Sequence, residues 1–235
     1  MKGDDAVSET SAGKSIPMNL NLANANVVIA AQHFNPSIVN QLWLVDNEIV
    51  GRDDFQQGCI FTDMMVHIVS REFALLVAME QLQFVPFVET EHQQELILSR
   101  LGHLIETLPH TPYSAAGLNF TWHLKPEAGD VRQFSRDLFY VGSRSLCQAF
   151  DADDARFGGY FSKNILGGRL KLDVKPITVR TKDAELELMQ FAFNLHLDIG
   201  RTKNAVDDIR SLLMRWDEAR EETDRIMQEV HGGLQ

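Results

Sequence analysis

Three histidines fall inside β-prone runs: His67 in residues 59–70, His123 in 117–124 and His196 in 185–199. Side chains alternate faces along a strand. His123 therefore shares a face with Asn119 and Thr121, opposite Leu118, Phe120, Trp122 and Leu124. His196 keeps company with Asn194 and Asp198, opposite Phe191, Phe193, Leu195 and Leu197. His67 lies mid-run beside Asp63 and Met65. Were the three strands neighbours, the imidazoles would converge, and three histidines can bind zinc or supply a general base. That arrangement would make the chain a small-molecule or metal-dependent enzyme or binder. The competing reading is the solvated face of an antiparallel sheet whose other face is core. No HxxxH, HExxH or CxxC spacing supports a ligand set.

Other reactive patterns are weaker. Gly158-Gly159 and Gly167-Gly168 bracket an apolar run, but a phosphate cradle needs a strand leading into a helix N-terminus. Strand-like flanks on both sides favour hairpin turns. No GxSxG elbow, Walker pattern or dinucleotide fingerprint is present, so the residues imply no cofactor and no catalytic set. The carboxylate pairs Asp53-Asp54, Asp153-Asp154, Asp207-Asp208 and Glu221-Glu222 read as solvated loop or helix charges. Asp207 and Asp208 fall where a helix N-terminus favours negative charge.

The C-terminal stretch points to contact rather than chemistry. Val206, Ile209, Leu213, Trp216, Met227 and Val230 recur at helical spacing, with Arg220 and Thr223 interrupting. One helix over 203–230, of about 28 residues, would extend about 42 Å, longer than a compact domain needs. Its distal part, Trp216, Arg220, Thr223, Met227 and Val230, is therefore expected to meet a protein partner or a second subunit.

Composition narrows the partners. The 235 residues carry 22 basic and 33 acidic side chains, a formal charge of −11. That sign opposes phosphate backbones and anionic membranes, so neither nucleic acid nor a membrane surface is expected. Hydrophobic residues at 44% suffice for a sizeable core. Two cysteines, Cys59 and Cys147, sit in apolar neighbourhoods and suit reduced thiols rather than a disulfide scaffold. With no apolar signal or spanning stretch, the expected location is the cytoplasm.

Residues 1–16 are polar and aperiodic, so disorder is expected there, followed by one domain over 17–232. The patterns predict a strand at 27–31, a short helix entered at Asn35-Pro36, and a hairpin from 59–70 and 73–85. They then predict a helix over 91–108 capped by Thr90 and Gln93, a strand at 117–124, and a helix over 130–149. Strands near 157–166, 168–179 and 185–199 precede the last helix. Helices and strands mixed without βαβ alternation predict an α+β fold: a mostly antiparallel sheet with amphipathic helices packed on one face. The order helix–strands–helix recurs, suggesting an internal duplication over about 26–125 and 129–231. The function expected is non-catalytic: a subunit, adaptor or chaperone-like module acting through a sheet edge and the C-terminal helix.

Overall fold

A computed structural model describes residues 20–126, 130–180, 184–200 and 204–232; the expected disorder of 1–16 lies outside them. Nine strands form one sheet: β1 (Leu20–Ala31), β2 (Ile60–Phe61), β3 (Met65–Val69), β4 (Phe73–Ala78), β5 (Gln81–Pro86), β6 (Tyr113–Leu124), β7 (Gly159–Ile165), β8 (Gly168–Arg180) and β9 (Glu185–Asp198). Every pairing is antiparallel, in the order β2-β3-β4-β5-β1-β6-β9-β8-β7. The helices are α1 (Gln41–Asp46), α2 (Thr90–Leu96), α3 (His103–Thr107), α4 (Val131–Phe139), α5 (Ser145–Ala149), α6 (Ala205–Leu213) and α7 (Trp216–Gly232). No helix among the described residues is long and apolar enough to cross a membrane.

The α+β fold follows from alternation. Leu118, Phe120 and Trp122 of β6 and Phe191, Phe193 and Leu195 of β9 are buried, while Asn119, Thr121, Asn194 and His196 between them are only half-buried. Phe120 packs on Trp216 of α7 with ring centroids 4.8 Å apart, so the apolar face is the one the helices cover. Removing these side chains from water supplies the main favourable term in folding.

The sheet has a two-fold topology about the β1–β6 pair. Each half runs long strand, helical crossover, three hairpin-linked strands, helix pair, and its last strand lies beside its first. In this topology the two matching stretches begin at Leu20 and Tyr113, with β6 opening the second. The first half adds one element, β2, which pairs with β3 through Ile60–His67 and Phe61–Val66.

Several boundaries differ from the expected ones. Residues 73–85 form two strands, turning at Met79 and Glu80 where no glycine or proline marks the turn. The hairpin between β3 and β4 is pinned by Ser70, whose buried hydroxyl accepts from Phe73 N at 3.0 Å. The helix expected over 130–149 divides into α4 and α5, although Asp130 caps α4 by accepting from Arg132 N and Gln133 N. Thr90 and Gln93 form no capping box, because Gln93 Nε2 donates to Val88 O and its Oε1 accepts from Trp216 Nε1. A π-helical turn, Ile97–Gly102, joins α2 to α3. Of the two glycine pairs only the second marks a hairpin turn: Leu166 and Gly167 have positive φ, 52° and 76°, as a two-residue turn of type I′ requires, whereas Gly158-Gly159 leads from a loop into β7.

Candidate functional site

The three histidines do not come together. All lie on the face turned away from the helices, but β3 and β6 are separated by β4, β5 and β1, roughly 19 Å at the usual strand spacing. His123 and His196 sit on adjacent strands, yet His123 faces Gln190 while His196 faces Gly117. Six residues along a strand is roughly 20 Å. Among the described residues no His, Cys, Asp or Glu cluster able to hold a metal ion forms. Burial, reinforced by Lys171, pushes the His196 imidazole below its ordinary pKa, which keeps it neutral near pH 7.

What the open face does hold is an amide ladder. Asn194 Nδ2 donates to Asn119 Oδ1 at 2.7 Å, and Asn119 Nδ2 donates to Asn26 Oδ1 at 2.9 Å. The registers of β1, β6 and β9 align these three residues across the centre of the sheet. Gly117 makes room for it, since a Cβ there would lie 2.5 Å from Asn194 Nδ2. Such a ladder fixes register and offers no reactive group.

The expected partner-binding residues of the last helix are mostly spent inside the chain. The long helix breaks at Met214 and Arg215 into α6 and α7, so the overreaching rod does not exist. Trp216, Thr223 and Met227 are fully buried. Trp122 Nε1 donates to Thr223 Oγ1 at 3.2 Å, tying α7 to β6. Arg220 is half-buried, its Nε without a hydrogen-bond partner, and its charge opposes the upward, burial-driven shifts of Asp217 and Asp224. Val230 alone of the five lines an open space.

That space is a cleft of about 660 Å³ between α4 and α7, floored by β7, β8 and β9. Phe139, Phe161, Leu172, Phe193, Ile226 and Val230 give it an apolar wall. Phe139 lies 6.1 Å from Phe161, centroid to centroid. Gly159 permits this approach, because a Cβ would stand 2.8 Å from the Phe139 ring. The cleft's cation, Lys163, donates to Glu222 Oε1 at 2.6 Å. Hydrogen bonds from Arg225 first, and then from Lys163, hold the Glu222 carboxyl down to about 2. With its lysine paired, the cleft presents a mainly apolar lining, with the Tyr160 and Ser162 hydroxyls its other polar groups.

Beside the cleft lies the outer edge of β7. In the first half the equivalent strand, β3, is covered: β2 pairs with it, Gln56 N donates to Val69 O at 2.8 Å, and Cys59 Sγ accepts from Val69 N at 3.3 Å. All seven β7 residues pair with β8, and among the described residues no strand takes the other side. Tyr160 and Phe161 on this bare edge are 63% and 52% exposed. The crossovers differ likewise. That of the first half buries Phe34, Val39, Leu44, Ile49 and Val50, whereas that of the second buries Val131 and leaves Leu146 on α5 and Phe150 just after it exposed.

The class defined is thus an antiparallel α+β sheet protein whose second half is incompletely covered. Compared with known protein families and with curated proteins, the sequence matches none.

Proposed function

We propose that this chain is a non-catalytic protein-interaction module whose contact region is the outer edge of β7 with the adjoining cleft under α7. The observation that carries the reading is the contrast between the halves: β2 and its loop cover β3, and no strand among the described residues pairs with the outer edge of β7. An edge strand with unpaired backbone groups is a template for another chain's strand. Native proteins usually blunt such edges with proline, bulges or charge; β7 has no proline, no register shift and a single charge, Lys163. Exposed aromatic residues beside an apolar cleft add the hydrophobic component of a protein contact.

Of the contact residues expected on the C-terminal helix, only Val230 enters this reading. α7 contributes Ile226 and Val230 as cleft wall, while Trp216 and Met227 anchor it to its own sheet. A second reading, a binder of apolar small molecules, rests on the cleft volume, which lies within the ~300–1,000 Å³ of ligand pockets.

The test is a photo-crosslinking phenylalanine analogue at position 161, with the same analogue at exposed Leu42 on α1 as control. Irradiation in cells producing the chain should yield a protein adduct at 161 and none at 42. Absence of any protein adduct at 161, with a small apolar molecule co-purifying instead, would transfer the site to the second reading.

A further inference from the structure

We infer that the chain covering β7 is the β7 of a second copy, paired antiparallel about a two-fold axis through Ser162. The inference rests on the interaction reading above and names its partner. It starts from the β7–β8 turn. A two-residue turn makes Ile165 and Gly168 the hydrogen-bonded closing pair, and hydrogen-bonded and non-hydrogen-bonded pairs then alternate along the hairpin. Phe161 and Lys163 direct their backbone groups to β8, so Tyr160, Ser162 and Asn164 direct theirs outward.

These outward positions are self-complementary. With Ser162 on the axis, Ser162 faces its own copy and Tyr160 faces Asn164, so every outward amide and carbonyl of the three meets a partner. All opposed residues lie on the same face, which joins the two sheets with their helices on one side. The only charge on β7 avoids itself: Lys163 comes opposite Phe161, where a cation over an aromatic ring is favourable. A register centred on Lys163 would oppose two like charges and place the outward groups out of step.

The exposed apolar surface on this edge is modest. Tyr160 and Phe161, at about 200 Å² per aromatic side chain, offer roughly 200–250 Å² per copy. That is well below the ~800 Å² per partner of a standard interface, so the pairing is a weak one that high protein concentration populates. One docking event also covers two bare edges at once, and two-fold dimers are the commonest closed assembly.

The experiment is sedimentation equilibrium of the full chain over a wide concentration range, with three variants. Wild type should reach twice the mass of one chain. Ser162→Pro removes an outward amide that bonds nothing among the described residues, so it should sediment as a monomer while keeping the wild-type circular dichroism spectrum. In a background with Cys59 and Cys147 replaced by serine, Ser162→Cys should form an intermolecular disulfide on oxidation, because opposed residues on the axis stand ~5.5 Å apart at Cα. Asn164→Cys should not, since it faces Tyr160. A wild type that stays monomeric at every concentration overturns the inference, as does a dimer that survives Ser162→Pro or crosslinks through Asn164→Cys instead. If the inference fails while position 161 still crosslinks to a different protein, the interaction reading stands and only the second copy is lost.

Discussion

Lys163 on β7 donates to Glu222 on α7 across 2.6 Å, tying the bare edge strand to the C-terminal helix along the cleft that both elements bound. Glu222 also accepts from Arg225 Nε at 2.8 Å, so one carboxylate joins two cations. The side chain of Glu222 is 15% exposed, against about half for both cations. Geometry of this kind holds the wall of the cleft in place without filling it.

A pH dependence follows. The folded-state pKa of Glu222 is about 2, against an ordinary 4.5. A depressed carboxylate contributes stability that is fully present above the unfolded value and disappears as pH falls through the folded one. Thermal unfolding of wild type and Glu222→Gln should therefore differ most above pH 5, and the two should converge as pH approaches 2. A gap that stayed constant over this window would mean the ion pair contributes nothing through its charge.

The asparagine ladder should hold the register of the central strands. Asn119 is its middle rung, donating to Asn26 and accepting from Asn194. Asn119→Ala removes both bonds and leaves Asn26, itself buried, with one partner fewer. At ~1 kcal/mol per bond the expected loss is about 2 kcal/mol in urea unfolding. Gly117→Ala should weaken the same ladder from the other side, by forcing the Asn194 amide aside.

Thr223 should behave as a core residue and not as a contact residue. Thr223→Val keeps the shape but strands the Trp122 indole N–H, at a cost of ~1–3 kcal/mol. Thr223→Ser keeps the hydroxyl and should preserve most of the stability. Crosslinking at position 161 should be unchanged in both, which separates packing of α7 from partner contact.

Much of the architecture was legible because period-two alternation is a local property. Residues 117–124 and 185–199 announced strands, and those strands proved to be the centre of the sheet. The helix stripe around Trp216 was equally visible, but spacing says which residues share a face, not what the face meets. Trp216, Thr223 and Met227 meet the chain's own β6 side, so their pattern mimicked a contact surface. The break at Met214–Arg215 carries no glycine or proline, and the turn at Met79–Glu80 has none either; packing decides both.

The candidate site was less legible for a topological reason. Its cleft assembles α4, β7, β8, β9 and α7, which lie far apart in the chain, and the bare edge becomes visible only once strand order is known. The histidines illustrate the same limit. Each was assigned to the polar face by alternation, yet strand order and register keep His67, His123 and His196 roughly 19 Å or more from one another. One local signal did bear on the site. Gly158-Gly159 stands out as a glycine pair but reads as a turn, whereas these glycines let β7 pass under Phe139 and beside Val174 O.

Amide hydrogen exchange along β7 decides whether a strand joins its outer edge. The amides of Tyr160, Ser162 and Asn164 should exchange as fast as exposed loop amides in dilute protein and become strongly protected on association, whether at high concentration or with a partner crosslinked at 161. Their neighbours Phe161 and Lys163, bonded to β8, should be protected throughout. If Tyr160, Ser162 and Asn164 still exchange at the open rate in the associated protein, no strand joins this edge and the account is contradicted.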